Sequence, residues 1–599
     1  MGLLEVHPDN ASARHLLGLA LLEEGMGEAA VEQLGQAAAL DPHNPMLHYH
    51  RGTALAAIGR QQEAIASFKS AIALRPAFGE ALFNLGNAQR AVGDESGALA
   101  SYQRAAQASP QLHQAYNSMA SLLHQAGRFD EALQRVQRAL QVAPSDPGAL
   151  NNQAVILHSL KRFDEAAAVL ERLLLLGGED ARLLNRLGVA LHEAGRVPSA
   201  LEKYDRAISL DASLADAWNN RGNALHDLRR MEEALASYQR ALDCSPDFVE
   251  AINNRGLAQQ ELELFDQAAS DFDRAIELRP GHAEAFKRRA GLQLLRGHFA
   301  EGWSDFSHSI KLSGSGATHA PAWKGEPLDG RSILLTEPSG LGDTLQFFRY
   351  VLPLLQAGAR VTFAGPRRLH ALLATFSDRV ELIVDPGARR FDYRAVLWAL
   401  PHLLWASHGP LAETVPYLRA DPARVAKWAS TLDPAGVNIG ICWQGNPSRK
   451  IDAGRSIPLA AFLPLSRVPG VRLVSLQKRD GLEQLSSLPA GMQVLEPGPG
   501  FDEGADAFVD SAALLHSLDL LVSSDTSIVH LAGALGRPAW VALARVPDWR
   551  WLLDGDDSPW YPATRLFRQP VRDQWPAVFE SMAAALPALR GTIARKQFT

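Results

Sequence analysis

The chain has 599 residues, which at roughly 100–200 residues per domain excludes a single small module. An apolar fraction of 47% with 21% charged residues is the composition of a chain that buries cores, not of one that stays disordered. Lys plus Arg is 59 against 66 Asp plus Glu, a net charge of −7, which excludes broad electrostatic capture of nucleic acid or of an anionic membrane and leaves room for a local basic pocket.

The first residues, MGLLEVHPDN, lack the basic region, apolar run and cleavage site of a secretory leader. Val6 stands where a myristoylation signal wants Ser or Thr. No apolar run approaches the eighteen or so residues of a membrane span, and two cysteines, Cys244 and Cys442, make no disulfide framework. A cytoplasmic protein without a membrane span is expected. The stretch LLEVHPDN reads as the end of a second repeat helix lacking its first, so either the array starts raggedly or the protein extends upstream.

From there the chain repeats. Pro8, Pro42, Pro76, Pro110, Pro144, Pro246 and Pro280 are spaced by 34 residues or three times 34. Gly18, Gly52, Gly86, Gly188, Gly222 and Gly256 keep the period, with Ala120, Ala154 and Ala290 in the gaps. Ala30, Ala64, Ala98, Ala132, Ala166, Ala200, Ala234 and Ala268 form a second column, and Phe68, Tyr102, Tyr204, Tyr238, Phe272 and Phe306 a third. Small residues let two helices approach, an aromatic ring fills the gap and proline stops the second helix. Gly178 and Ala212 replace the proline and should only soften the array. Segments such as ALFNLGNAQRAVGDESGALASYQRAAQASP resemble the tetratricopeptide repeat, and about nine copies over residues 1–313 predict an α-solenoid with a long concave face. Asn84, Asn152, Asn220 and Asn254 stand two residues before the small-residue column. A carboxamide both donates and accepts, so such a ladder suits the backbone of an extended peptide. The plainer reading is that these side chains cap or solvate the first helix. The family of tetratricopeptide O-linked N-acetylglucosamine transferases binds protein substrates with a ladder of this kind, and this one is similar but sparser.

Residues 314–330 read as a linker, after which short apolar runs alternate with amphipathic stretches. Strands are predicted at 333–337, 361–365, 380–384, 437–443, 471–477, 519–524 and 539–543, an order that implies parallel sheets with helices on both faces. Two strand-turn-helix junctions carry candidate chemistry: ILLTEPSGLGDTLQFFRYVLPLL, with Asp343 at the head of its helix, and LDLLVSSDTSIVHLAGALGRPAWVAL, with Asp525, Thr526, Ser527 and His530. Ligands bind outside the carboxyl ends of strands in such sheets, whereas an aspartate there also serves as a helix cap.

The segments GLGDTLQFFRYVLPL, IGICWQGNPSRKIDAGRSIPLAAFLPL and SLDLLVSSDTSIVHLAGALGRPAWVAL resemble glycosyltransferases of the heptosyltransferase family, and DWRWLLDGDDSPWYPATRLFRQ is similar to tails of bacterial proteins that join the two modules. The resemblance implies the α/β GT-B fold of two Rossmann-like halves, at 331–435 and 436–599, the second binding a nucleotide-sugar. It implies Asp343 as the base that deprotonates an acceptor hydroxyl, and Gly342, Arg455, Asp525, Thr526, Ser527 and His530 as donor-binding residues. A helix N-terminus attracts phosphate and a carboxylate repels it, so the diphosphate is expected at Thr526 and Ser527, with Asp525 as a cap or sugar-hydroxyl partner. Arg455, helped by Lys450 or Arg449, would meet the charge on the leaving phosphate.

The expected chemistry is an inverting displacement with no metal and no cofactor beyond the nucleotide-sugar co-substrate. Asp554-Gly555-Asp556 and Asp271-Phe272-Asp273 have DxD spacing but read as turn or helix-surface acids. No HExxH, paired CxxC or P-loop pattern occurs. The repeats point to a protein or peptide acceptor, the heptosyltransferase likeness to lipopolysaccharide or another glycan. The alternative from a different class is an interaction scaffold whose transferase-like half is inactive.

Overall fold

The computed structural model describes residues 9–312, 320–337, 340–446, 454–504 and 506–596, with side chains to residue 588. The chain divides into two compact units, Met1–Leu228 and Arg229–Thr599. The division falls inside the repeat array, although the 34-residue sequence period runs straight across it.

In the first unit, six antiparallel helix pairs run from Ala11–Glu23 and Gly27–Leu40 to Ala181–Glu193 and Val197–Leu210, followed by the helix Ala215–Asp227. The sequence columns meet as their sizes require. A Cβ on Gly86 would lie 2.6 Å from the Tyr102 ring, and one on Gly188 2.5 Å from Tyr204. Glycine is kept there by close approach, although it is a poor helix former. Pro42, Pro76, Pro110 and Pro144 each follow the end of a second helix. At Gly178, which lacks the proline, the helix Phe163–Gly177 instead stops on glycine at φ +81°.

The second unit opens with the helices Met231–Cys244, α1 (Val249–Glu261), Phe265–Leu278, α2 (Ala283–Leu295) and α3 (Phe299–Leu312). A four-stranded parallel sheet follows, with β1 (Ser332–Thr336), β2 (Arg360–Ala364), β3 (Val380–Ile383) and β4 (Tyr393–Val396) in the order β3-β2-β1-β4. After it, β5 (Val437–Cys442), β6 (Val471–Ser475), β7 (Val494–Leu495), β8 (Leu520–Ser524), β9 (Ala539–Leu543) and β10 (Thr564–Arg568) form a parallel sheet in the order β10-β9-β8-β5-β6-β7. Numbered within its own half this is 3-2-1-4-5-6, the doubly wound order, whose direction reverses between β5 and β8. Every residue of β8 and β9 is buried, as parallel strands covered on both faces must be. The helix α4 (Leu341–Phe347) follows β1, and α5 (Ser527–Ala534) follows β8. The C-terminal region is thus an α/β domain. No helix in the described residues is long and apolar enough to cross a membrane.

One core joins the last repeat to both sheets. Trp303 on α3, 1% exposed, has ring centroids of Phe347, Trp405, Trp549 and Trp560 at 6.0, 6.0, 5.2 and 6.4 Å. Arg349, fully buried, ties the halves together. It donates to the carbonyls of Gln346, Pro410 and Trp560 and lies over the rings of Tyr417 and Tyr561 at 5.0 and 4.6 Å.

Candidate functional site

Both junctions read from the sequence lie at carboxyl ends of strands, and helix α4 packs on α5. The contact is close. A Cβ on Gly342 would fall 3.0 Å from His530 Cδ2 and 3.4 Å from Ser527 Cα, so glycine at 342 lets the two helix ends meet. A cavity of about 470 Å³ opens beside this contact. Asp343, Arg455 and Asp525 line it, together with Asp548 and Arg550 from the segment after β9 and Arg229, Lys287 and Arg288 from the repeats.

Arg550 organises the acids. Its Nη2 is ion-paired with Asp343 Oδ1, its Nη1 lies 2.8 Å from Asp548 Oδ1 and its Nε 2.7 Å from Gln346 Oε1. The guanidinium sits 4.3 Å over the Trp549 ring. Burial works against its charge, but Asp548 and Asp343 outweigh that and raise its affinity for the proton. A carboxylate has about four lone-pair sites, and the second oxygen of Asp343 lies toward Gly340, where a Cβ would be 2.6 Å away. Sequence reasoning missed Arg550 and Asp548, although both lie in the DWRWLLDGDD segment. The signal was an Arg and an Asp amid tryptophans, residues that stay buried only when paired.

Asp525 is 8% exposed. Burial first, and then Asp548, push its carboxyl up to about 6, against the opposing pull of Arg455 and Arg550. It does not cap the helix. Thr526 occupies the N-cap position of α5, and its side chain makes no cap hydrogen bond but lies 3.1 Å from Ser523 Oγ. The cap role expected for Asp525 is thereby corrected, because its carboxylate lies in the cavity wall instead. Its folded-state affinity for the proton exceeds the unfolded one, so its contribution to stability is present below pH 3.8 and is lost as pH rises through about 6. Asp525→Asn is therefore expected to match the wild type in stability near pH 4 and to exceed it by about 2–3 kcal/mol at pH 8, since each tenfold gain in proton affinity on folding is worth about 1.4 kcal/mol. Urea unfolding at the two pH values measures the difference.

Thr526 and Ser527 are half-buried at the start of α5. His530 is 5% exposed and is not among the cavity-lining side chains. Its Nδ1 is 3.0 Å from the Tyr561 hydroxyl and its ring stacks on Trp551 at 5.7 Å and 13°. Burial, with Arg550, Arg349 and Arg455, holds its pKa well below that of free histidine. The ring packs against Gly342 in the first turn of α4.

Ser456 and Ile457, which follow Arg455, are bonded to the segment after β5. Gln477 accepts from the Trp443 and Gln444 amides at 3.0 and 3.1 Å, Ser456 Oγ accepts from Gly445 N at 3.2 Å, and Ile457 N donates to Trp443 O at 2.8 Å. Arg449 and Lys450 lie outside the described residues.

Three members of the asparagine column tie neighbouring repeats together. Asn84, Asn152 and Asn220 donate to Tyr49 Oη, Asn117 Oδ1 and Asn185 Oδ1 at 3.2, 2.8 and 3.1 Å. Each links its repeat to the preceding one and keeps its own carbonyl oxygen for another donor. Asn254 is half-buried on α1. Of the DxD pairs, Asp271 is 5% exposed and bonded twice by Arg255, so it is an inward ion-pair partner and not a surface acid. Asp273 pairs with Arg289 at 2.7 Å. Asp556 pairs loosely with Arg565 at 3.7 Å in an exposed turn.

Comparison with known proteins bears on the repeats. Residues 2–45, 15–77, 49–113 and 118–181 match a tetratricopeptide repeat family, residues 188–229 a TPR repeat family, and residues 215–248 and 249–282 two further tetratricopeptide repeat families. Protein FlbA of Caulobacter vibrioides is 30% identical over 293 residues, 44% of this chain and 48% of FlbA. The chain thus spans about half the length of that curated relative. Among solved structures, a tetratricopeptide repeat protein from Parabacteroides merdae is 19% identical, covering 42% of this chain and 98% of its own with a TM-score of 0.31. YrrB, described as a TPR protein with an unusual peptide-binding site, is 24% identical over 31% of this chain and 95% of its own, with a TM-score of 0.26. The N-terminal region is built of tetratricopeptide repeats, and such repeats serve protein–protein interaction.

Proposed function

We propose that the chain is an inverting glycosyltransferase of the GT-B kind, which moves a sugar from a nucleoside-diphosphate donor to a protein or peptide held by the repeats. One observation carries this reading: a single cavity is lined by Asp343, from the helix after β1, and by Asp525 and Arg455, at the switch point of the doubly wound sheet. In the reaction, Asp343 takes the proton of the acceptor hydroxyl as its oxygen attacks the anomeric carbon. The bond from that carbon to the phosphate oxygen breaks on the opposite face, and its electron pair leaves with the diphosphate. On this reading the guanidinium of Arg455, which lines the cavity, and the amides of Thr526 and Ser527, which follow Asp525 in the chain, receive the leaving charge. General base catalysis of this kind is worth about 10²–10⁴-fold.

Asp343→Asn is accordingly expected to lower transfer by about that factor while leaving nucleoside-diphosphate affinity nearly unchanged. The assay incubates nucleotide sugars labelled in the sugar with lysate protein and with glycolipid. Transfer into glycolipid alone would overturn the protein acceptor. A second reading, an interaction scaffold with an inactive domain, is favoured by the ion pair that already engages Asp343 with Arg550. Absence of transfer and of donor hydrolysis with every sugar nucleotide tried would decide for it.

A further inference from the structure

Each repeat turns between its two helices on a residue in the left-handed region. In six repeats that residue is glycine: Gly25, Gly59, Gly93, Gly127, Gly195 and Gly297, at φ between +73° and +81°. In three it is not, and Lys161, Arg229 and Glu263 hold φ of +58°, +62° and +63°. A side chain there costs free energy that glycine avoids. Both exceptions in the second unit reach the α/β domain. Glu263 takes two hydrogen bonds of 2.9 Å from Arg545. Arg229 has another destination. It lines the cavity with Arg455, Asp525 and Arg550, and its guanidinium covers Gly454, with atoms 3.1, 3.2 and 3.5 Å from where a Cβ would stand. Gly454, at φ +77°, immediately precedes Arg455. Among the described residues Arg229 pairs loosely with Glu261 at 3.5 Å, and its buried Nε has no hydrogen-bond partner there.

We propose that Arg229 is an anion-binding residue of the donor site, supplied by the repeat array, which with Arg455 holds the diphosphate of the nucleotide. The proposal rests on the glycosyltransferase reading. Two guanidinium groups on adjoining turns, one with an unengaged N–H, form a concentration of positive charge and planar donors that suits a diphosphate. A docking strut alone would be served by the Glu263 and Arg545 pair next door. On this account the last repeats form part of the transferase site in addition to presenting an acceptor.

The test uses the full chain and the substitution Arg229→Gly, which restores the residue that the other turns use. Binding of UDP, ADP, GDP, CDP and inorganic pyrophosphate is measured by calorimetry, and unfolding by thermal melts without ligand. The expected result is a melting temperature equal to or above that of the wild type. Affinity for the nucleoside diphosphate that the wild type binds, and for pyrophosphate, falls about tenfold or more, the size of one charge-assisted hydrogen bond. Arg229→Lys keeps the charge without the planar fork and should fall between. Unchanged affinity in Arg229→Gly, whatever its melting temperature, would overturn the role of Arg229 and leave the glycosyltransferase reading standing. Failure of the wild type to bind any of the four nucleotides would overturn both.

Discussion

Trp303→Ala is expected to cost about 3–5 kcal/mol of stability, the range for deleting a large buried aromatic side chain, and, if the proposed glycosyltransferase activity holds, to lower transfer about a hundredfold at temperatures where the protein remains folded. The two effects share a cause. The indole of Trp303 meets Trp549 edge to face at 5.2 Å, and Trp549 carries the guanidinium of Arg550 on its ring at 4.3 Å. Removing the indole frees Trp549 to move into the vacated space, and Arg550 moves with it away from Asp343. A displacement of about 1 Å far from the chemistry is enough to lose about two orders of magnitude in rate. Trp303→Phe separates size from chemistry. The indole N–H has no hydrogen-bond partner among the described residues, so phenylalanine sacrifices only ring area and should retain most of the stability and a measurable rate. Urea unfolding together with the transfer assay on both variants gives the comparison.

Arg550→Met is expected to have the second large effect. It leaves Asp343, Asp548 and Asp525 near one another without the cation that pairs the first two and lowers the proton affinity of the third. Breaking a buried ion pair by removing one partner costs about 3–5 kcal/mol. Part of that should be recovered by acidification, because protonating Asp525 removes one of the mutually repelling charges. The stability deficit relative to the wild type is therefore larger at pH 8 than at pH 5, and a deficit independent of pH would show that the acids do not interact through Arg550. Under the proposed glycosyltransferase function, transfer should fall with stability corrected for, since Asp343 loses its ion-pair partner.

The repeats were legible because their packing is local. Gly86 and Tyr102 are sixteen residues apart, and the same pair of sizes recurs along the array, so spacing alone exposed the contact. Seven strands were also readable from apolar runs. The remaining three were not, for separate reasons. All four residues of β4 are half-buried, β7 has two residues, and β10 carries Arg565 and Arg568 within a five-residue strand. Of the site, Asp343, Asp525 and Arg455 stood out from strand-turn-helix grammar and from resemblance. Arg550 and Asp548 did not, because the pairing of Arg550 with Asp343 spans more than two hundred residues, and pairings of that kind leave no periodic trace. Arg229 and Glu263 stand in a column of turn glycines that was not singled out in the sequence, because its meaning lies in the positive φ of the turn.

The glycine turns separate two grades of interchangeability within one array. Upstream of residue 229, a repeat that turns on glycine contributes its length and its two faces, and recombination could duplicate, delete or exchange such a unit without touching the cavity in the second unit. The units that turn on Arg229 and Glu263 are different in kind. Each is addressed to one place in the α/β domain, so a repeat copied into either position would arrive without the side chain that position uses. Variation in repeat number is thus free to accumulate upstream of residue 229, while the last repeats are inherited together with the domain they adjoin.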